Sequence, residues 1–173
     1  MKLIACREEA HSDAILDILN EAIVNSTALY EYHPRDSESM AAWFRAKAEG
    51  GYPVIGAVDA ADELLGFASY GPFRSFPAYK YTIEHSVYVH RDHRGRGIGT
   101  ALLERLVEAA IGQQYHLMVG VVDAANRASV ALHERLGFRR AGTIRHAGFK
   151  FGRWLDVEFH ERILPTPAQP QDG

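Results

Sequence analysis

The stretch that most constrains this chain is residues 84–100, EHSVYVHRDHRGRGIGT. Its first six residues alternate and include β-branched side chains, which is typical of a buried strand. A basic, glycine-rich turn follows, and an amphipathic helical pattern begins directly after it, from Thr100. Strand, glycine-rich turn and helix form the arrangement in which backbone N–H groups at a helix N-terminus bind phosphate. The chain is therefore expected to bind a phosphate-bearing ligand here.

The turn itself places Gly95, Gly97 and Gly99 at alternate positions, next to Arg94 and Arg96. Glycine permits a positive φ and lets phosphate oxygens approach the N–H groups closely, and the helix dipole and both arginines add attraction. A Rossmann fingerprint requires a different glycine spacing and an acidic residue about 20 positions later. A Walker A loop requires Gly-Lys-Ser/Thr. Neither pattern is present, and the remaining alternative is a flexible basic loop before a helix.

Composition restricts the class of protein. A chain of 173 residues is expected to fold as one domain, and 47% apolar and 24% charged residues are ordinary for a soluble globular protein. The net charge of −3 argues against a nucleic-acid or membrane-surface partner. Cys6 is the single cysteine, which excludes an intrachain disulfide and a cysteine-based metal cluster. With no signal peptide and no apolar span of about 20 residues in the sequence, we expect a cytoplasmic protein.

The order of apolar patterns predicts a mixed α/β (α+β) fold. Strands are predicted at residues 3–6, 53–58, 64–70, 82–89, 117–122, 139–144 and 154–163. Helices are predicted from Ser12, from Ser37, and over residues 100–111 and 126–136, with both serines as N-caps. Gly71-Pro72 is expected to end the third strand. We expect an antiparallel N-terminal half, then a βαβα unit, in one domain of residues 1–164 with a disordered tail at 165–173.

These motifs resemble a known enzyme family. RGRGIG matches the Q/R-x-x-G-x-G/A signature of the GNAT superfamily of N-acetyltransferases, and the resemblance extends over residues 3–164. Five stretches resemble the phosphinothricin and methionine-sulfone acetyltransferase branch: GYP at 51–53, ASYG at 68–71, TIEHSVYV at 82–89, LHERLGF at 132–138 and FKFGRWLD at 149–156. The resemblance implies the GNAT acyl-CoA N-acyltransferase fold, a central, mostly antiparallel sheet with a splayed strand pair that holds acetyl-CoA, and helices on both faces.

The resemblance also implies a set of residues that bind acetyl-CoA, the expected co-substrate. The backbone of the strand should hydrogen-bond the pantetheine arm, at Val87, Tyr88 and Val89. The turn and helix start should bind the pyrophosphate, at Arg94, Gly95, Arg96, Gly97, Ile98, Gly99 and Thr100. The side-chain amide of Asn126 should bond to the pantetheine, and Arg135 lies at a position that contacts the cofactor in relatives.

Glu84 is the candidate general base. A carboxylate in a half-buried strand is costly unless it is paired or used, so the residue by itself allows either a salt bridge or a catalytic role. The match to the V/I-E-H-S/T-V-Y-V strand of the family favours catalysis, because an α-amino group is mostly protonated at neutral pH and needs a base. The backbone N–H of Val87 or Tyr88 is the expected donor to the developing oxyanion.

The histidines have open roles. Many GNAT enzymes carry a tyrosine as candidate general acid in L-Y-E-x-L-G-F, where this chain has His133, as its branch does. His133 can protonate the leaving thiolate or orient a water, or it can be a packing residue on the helix. His85, His90 and His93 are close in sequence, but His85 and His90 should point to opposite faces of a strand and no carboxylate pair completes a shell, so no metal site is expected.

The substrate side is also implied by the resemblance. Arg74 should bind a substrate carboxylate bidentately, although a solvated loop arginine is the ordinary interpretation. Phe76 resembles a pocket-lining position, and Glu84, His85 and Ser86 should border the substrate. Lys150 is expected to add positive charge to its own pocket or to the partner's, because relatives are homodimers. Residues 25–34, with their two tyrosines, are either a packing loop or a substrate-lining one.

The predicted reaction is direct acetyl transfer to the α-amino group of a small amino acid analogue, namely phosphinothricin, methionine sulfoximine or methionine sulfone. A covalent acyl-enzyme is not expected, because Cys6 lies far from the motif. Two alternatives stay open: a GNAT enzyme that acts on protein N-termini or polyamines, and a non-catalytic acyl-CoA sensor. An acidic groove would favour polyamines, whereas Arg74 and Lys150 favour a carboxylate-bearing small molecule.

Overall fold

The computed structural model describes residues 1–172. Its strands are β1 (Lys2–Ala5), β2 (Val54–Val58), β3 (Leu64–Pro72), β4 (Thr82–Val89), β5 (Leu117–Asp123), β6 (Arg139–Lys150) and β7 (Arg153–Ile163). Its α-helices are α1 (Glu8–Asn25), α2 (Ser37–Glu49), α3 (Ile98–Gly112) and α4 (Arg127–Arg135). Two short 3-10 helices, Pro77–Tyr79 and Arg91–His93, flank β4.

All seven strands form one sheet in the order β1-β2-β3-β4-β5-β7-β6. Every neighbouring pair is antiparallel except β4 and β5, which are parallel and are joined by the crossover helix α3. The antiparallel N-terminal half and the βαβα unit after it are therefore confirmed, as is the mixed α/β class.

The helices cover both faces of the sheet. Successive strand residues belong to different core clusters: Phe67 packs with α1 and α2, whereas Ala68 packs with α3. Because successive side chains in a strand point to opposite faces, α1 and α2 lie on one face and α3 on the other. The core cluster on the α3 face is the larger of the two, and Leu102, Leu103 and Leu106 are fully buried in it.

The strands β4 and β5 separate at the middle of the sheet. Their pairing covers only four positions, from Thr82 opposite Leu117 to His85 opposite Gly120. Beyond that point β4 stays paired with β3, and β5 stays paired with β7. The two strands thus form the expected splayed pair, with an opening between them that leads to the start of α3.

Several expected boundaries were wrong. Helix α1 begins at Glu8, so Ser12 lies inside it, and Asp36 rather than Ser37 caps α2 by accepting a hydrogen bond from the Ser39 backbone N–H. Strand β3 continues through Gly71 and Pro72, and β6 continues to Lys150. The two acidic residues in the first turn of α1 favour the earlier start, because they interact well with the helix dipole.

The tail has no helix or strand within its described part, residues 165–172. The Thr166 hydroxyl donates to the carbonyl of Tyr115, and the backbone N–H of Gln171 donates to the hydroxyl of Tyr81. The division into a domain and a disordered tail stays a prediction, and Gly173 lies outside the described residues. Over residues 1–172, no helix combines the length and the apolar character that crossing a membrane requires.

Candidate active site

The predicted phosphate turn has a backbone that glycine makes possible. Gly95 and Gly97 have φ values of +77° and +79°, in the left-handed region that favours glycine, and open space surrounds both Cα atoms. Gly97 is the N-cap of α3 and supplies no side-chain cap. The N–H groups of Ile98, Gly99 and Thr100 begin the helix and have no carbonyl four residues back within it, so they can donate to an anion.

The two arginines of the turn differ in their surroundings. Arg94 donates from its guanidinium to Glu21 at 2.6 Å and to the carbonyl oxygen of Val89 at 3.2 Å. Part of its charge is therefore offset by a carboxylate on α1. Arg96 is exposed and lies 3.3 Å from the imidazole Nδ1 of His93. Among residues 1–172 Arg96 has no carboxylate partner, so its charge is not offset in this way.

The register of β3 and β4 decides which backbone groups face the opening. His90 donates to Leu65 and Phe73 donates to Thr82, so even-numbered residues of β4 bond to β3. The backbone groups of Val87 and Val89 consequently point toward β5, at positions where β5 has already separated. Of the two expected oxyanion donors, only Val87 turns its N–H into this opening, because the N–H of Tyr88 faces β3.

A cavity of about 770 Å³ connects these features. It runs from the turn, past Val87 and Val89, to Glu84, and a cofactor of acetyl-CoA type fits this lining. Its wall includes the following predicted cofactor residues: Val87, Tyr88, Val89, Arg94, Gly95, Gly97, Ile98, Gly99, Thr100, Asn126 and Arg135. The exposed Arg96 is the one predicted cofactor residue outside this lining.

Asn126 combines two possible functions. Its side-chain oxygen accepts from the backbone N–H of Ser129 at 3.1 Å and so caps α4. Its amide nitrogen has no partner among the described residues and is left to donate to a bound ligand. The cap fixes the side chain at the cavity wall before any ligand arrives.

Glu84 is half-buried and lines the cavity on the same face of β4 as Ser86. Burial raises the pKa of its carboxyl above the ordinary value, and the positive charge of Arg74 lowers it in part. A carboxyl group with a raised pKa is a better proton acceptor when ionised, which is the property of a general base near neutral pH.

The loop before β4 presents Arg74 at the surface. Its guanidinium stacks 4.4 Å from the ring centre of Phe73 and donates to the Phe73 carbonyl at 3.0 Å. Arg74 is near enough to act on Glu84, but Phe76 is 71% exposed and neither residue belongs to the cavity wall. Arg74 and Phe76 therefore both lie outside the cavity wall, and of the two it is Arg74 whose charge lowers the pKa of Glu84 in part.

His85 and His133 form a buried pair on the other face of β4. Their Nε2 atoms are 3.1 Å apart, and the Nδ1 of His133 is 2.7 Å from the carbonyl oxygen of Ser129. A carbonyl can only accept, so neutral His133 carries its proton on Nδ1 and accepts at Nε2 from His85. Burial lowers the pKa of both rings, that of His85 to about 3.

His133 lines the cavity, but its pairing with His85 and Ser129 favours the packing role. Its one ring proton is donated within α4 and not into the cavity, so it is not directed at a leaving thiolate. The catalytic role of His133 stays a prediction. His85 lines the cavity, but its ring lies on the face opposite to Glu84 and Ser86. Among residues 1–172, no group of three or more His, Cys, Asp or Glu side chains is arranged to hold a metal ion.

Lys150 lies outside the cavity wall and is buried. Its ammonium donates to three carbonyl oxygens of α1 and the loop after it, those of Ile23, Ser26 and Leu29. Burial lowers the pKa of the Lys150 amine, and the charge of Glu31 raises it in part. The expected contribution of positive charge to the substrate pocket has no geometric support within one chain.

Several residues of the cavity wall were not predicted as site residues, and the loop after α1 and Asp123 are the most informative of them. Residues 26–30 line it, which agrees with the substrate-lining alternative for this loop, and Tyr30 belongs to that lining. Asp123 also lines it, at the end of β5, and accepts a hydrogen bond from the Thr27 hydroxyl. In the sequence, Asp123 could have been found as a carboxylate directly after a predicted buried strand. The loop could have been found by its aromatic residues.

Comparison with known proteins agrees with this geometry. The profile described as "Acetyltransferase (GNAT) family" matches residues 13–138. The chain belongs to the GNAT family. An L-methionine sulfoximine/L-methionine sulfone acetyltransferase of Pseudomonas paraeruginosa is 48% identical over 157 residues, which cover 90% of this chain and 91% of that protein.

Solved GNAT structures show the same fold. A putative acetyltransferase from Acinetobacter baylyi is 55% identical with a TM-score of 0.98, over 99% of this chain and 97% of that one. A phosphinothricin acetyltransferase from Sinorhizobium meliloti, solved in complex with acetyl-CoA, is 34% identical with a TM-score of 0.94, over 99% and 92%. This GNAT protein is an acetyl-CoA-dependent acetyltransferase.

Proposed function

We propose that the protein transfers acetyl from acetyl-CoA to the α-amino group of a small amino acid analogue, with Glu84 as general base. The observation that carries the proposal is the position of Glu84: a half-buried carboxyl with a raised pKa, at the cavity wall and within the influence of Arg74. The proposed substrates are L-methionine sulfoximine, L-methionine sulfone and L-phosphinothricin, which the names of the relatives support.

Acetyl-CoA, when bound, supplies a thioester carbonyl as the group to be attacked. The chain contributes three actions. Glu84 accepts a proton from the substrate ammonium, directly or through water, so that the amine can attack. The C–S bond of the thioester would break as the new C–N bond forms, and the leaving thiolate would take up, through water, the second proton that the attacking nitrogen loses. The N–H of Val87 points into the opening between β4 and β5 and donates to the oxygen that gains negative charge. Arg74 binds the substrate carboxylate with its guanidinium fork and thereby holds the amine near Glu84.

Attack is direct in this proposal. Cys6, the candidate for a covalent acyl-enzyme, lines a second cavity of about 460 Å³ away from Glu84. Burial raises the pKa of its thiol to about 12, so the thiolate is scarce at neutral pH.

A panel assay tests the proposal. The purified protein is incubated with acetyl-CoA and each of the three analogues, and release of free thiol and formation of the N-acetyl product are measured. The matched controls are the corresponding amines without the carboxylate, which should react at least tenfold more slowly if Arg74 reads that group. Failure of all three analogues, with turnover of a peptide N-terminus or a polyamine, would replace the proposed substrate class by the alternative one.

We also propose a homodimer, in a cytoplasmic setting where acetyl-CoA is available. Strand β6 is exposed over nearly its whole length, and the β6–β7 hairpin carries large exposed apolar side chains: Ile144, Phe149, Phe151 and Trp154. The rings of Phe149 and Trp154 lie 5.1 Å apart between centres, and exposed apolar side chains that cluster are typical of an interaction surface. Sedimentation velocity should give twice the chain mass, and Trp154→Lys should shift the protein toward the monomer; a monomer at all concentrations would refute the dimer.

A further inference from the structure

The tip of strand β6 holds the loop that follows α1. The ammonium of Lys150 donates to the carbonyl oxygens of Ile23 at 2.5 Å, Ser26 at 2.9 Å and Leu29 at 2.7 Å. An ammonium group has three protons and no acceptor, so these three bonds use all of its hydrogen-bonding capacity. No proton remains for a substrate carboxylate.

The position of the charge explains why burial is tolerated. Lys150 is 5% exposed, and an isolated buried ammonium would be costly. Its partners are carbonyls at the C-terminal end of α1 and just beyond it, where the helix dipole presents partial negative charge. The ammonium therefore acts as a cap for α1 that comes from a distant strand.

The two residues before Lys150 contact the same loop. A Cβ atom on Gly148 would lie 2.7 Å from the ring of Tyr30, so the ring rests directly on this glycine. The hydroxyl of Tyr32 donates to the Phe149 carbonyl at 2.7 Å. Gly148, Phe149 and Lys150 thus form a latch against residues 23–32.

The latched loop borders the cavity. Residues 26–30 line the cavity, and Thr27 is tied to Asp123 at the end of β5. The residues expected to bind acetyl-CoA belong to β4, α3, α4 and the turns before those helices, and none belongs to this loop. The loop is therefore one part of the wall that is available to shape the acceptor side, together with wall residues of β5, β6 and β7.

We propose that Lys150 is a positioning residue, which fixes residues 26–30 as part of the acceptor wall of the cavity and does not contact the substrate. The proposal rests on the proposed acetyl transfer to a small amine. The positive charge of Lys150 can have a structural role within the chain or an electrostatic role toward the substrate, and the proposal assigns it the structural one.

Two substitutions distinguish these roles. Lys150→Met removes the donors, whereas Lys150→Arg keeps the charge but presents a planar fork that cannot meet three converging carbonyls. If the latch matters, both variants raise KM for the amine at least tenfold and leave KM for acetyl-CoA within about threefold of wild type. Lys2→Met, an exposed change on β1, serves as the matched control and should alter neither value.

Hydrogen exchange gives a readout independent of turnover. Backbone amides of residues 26–32 should exchange at least tenfold faster in Lys150→Met and Lys150→Arg, with β4 and α3 unchanged. Tyr32→Phe loses a single exposed hydrogen bond, so it should fold even if the Lys150 variants do not, and it should show a smaller increase in the same segment.

The outcomes separate the latch from the function. Unchanged exchange in residues 26–32, or full recovery of the amine KM in Lys150→Arg, would overturn the latch. If the wild-type protein acetylated none of the analogues while exchange still increased in the variants, the proposed substrate would fail and the contact role of Lys150 would stand.

Discussion

Replacement of Gly120 by alanine should disrupt the buried histidine pair and destabilise the fold. A Cβ atom at this position would lie 2.4 Å from the Nε2 of His133 and 2.8 Å from the Nε2 of His85, closer than non-bonded atoms can approach. Both rings are buried, at 4% and 7% exposure, and the His133 ring is held from its other nitrogen by Ser129. The contact with Ser129 restricts movement of the His133 ring away from the new methyl group.

The expected cost follows from two effects. Overpacking a core position costs about 1–3 kcal/mol. Separating the rings also breaks the bond between the two Nε2 atoms and leaves buried polar atoms unpaired, at about 1 kcal/mol or more. Together they predict a loss of about 2–4 kcal/mol in the free energy of unfolding, and a Tm lower by roughly 5–15 °C for a chain of this size.

Urea denaturation at a fixed protein concentration measures the cost, since association would otherwise change the apparent stability. The control is Gly112→Ala, at the exposed last residue of α3, where a Cβ atom meets nothing within 4 Å. The same chemical change should there stabilise by about 0.5 kcal/mol, because alanine loses less backbone freedom on folding.

A double-mutant cycle identifies the cause. In a His133→Ala background the ring nearest the new methyl group is gone, so Gly120→Ala should cost about 1–2 kcal/mol less than it does in the wild type. The steric explanation would be refuted if Gly120→Ala lowered the free energy of unfolding by less than about 0.5 kcal/mol in the wild type. An equal loss in both backgrounds would also refute it, because the clash with the histidine pair would then not be the cause.

Three further predictions concern the site. The value of kcat/KM should rise with pH as the carboxyl of Glu84 ionises, at its raised pKa, and Glu84→Gln should abolish this rise. Arg74→Gln should move the rise to higher pH, because the positive charge of Arg74 lowers the pKa of Glu84. An unchanged pH profile in Arg74→Gln would contradict this effect of Arg74 on Glu84. Asn126→Ala should lower the free energy of unfolding by about 1 kcal/mol, because the α4 cap is lost, and should raise KM for acetyl-CoA. Asn126→Asp should keep the cap and raise only that KM. Thermal melts measure the first effect and initial rates the second. Cys6→Ser should keep kcat within about twofold, and a large loss would instead support a covalent path.

The strand β4 was predicted with its observed bounds, Thr82–Val89, because alternation and β-branched content act over neighbouring residues. The end of β3 was predicted wrongly, because glycine and proline usually interrupt strands and the strand was therefore ended before Gly71-Pro72. In the sheet, β2 starts opposite Ser69, so no neighbour on that side requires an N–H from Pro72. Tertiary pairing therefore allowed a strand that the local pattern did not.

The site was partly predictable for the same reason. Glycines that adopt a positive φ and a helix that starts directly afterwards are encoded within a few residues, and they were found there. Lys150 could not be assigned from sequence, because its bond to Ile23 joins residues 127 positions apart. Its partners are backbone carbonyls, which every residue has and which leave no signature in a sequence.

The sequence by itself determined the chemistry of the stretch at residues 84–100: a carboxylate, a strand and a glycine turn that precedes a helix. Tertiary structure decided how those groups are used. It separated β4 from β5 after His85, turned the N–H of Val87 and not that of Tyr88 into the opening, and buried Glu84 enough to raise its pKa. Short-range sterics fix local conformation, whereas strand register and burial depend on elements that are distant in the chain.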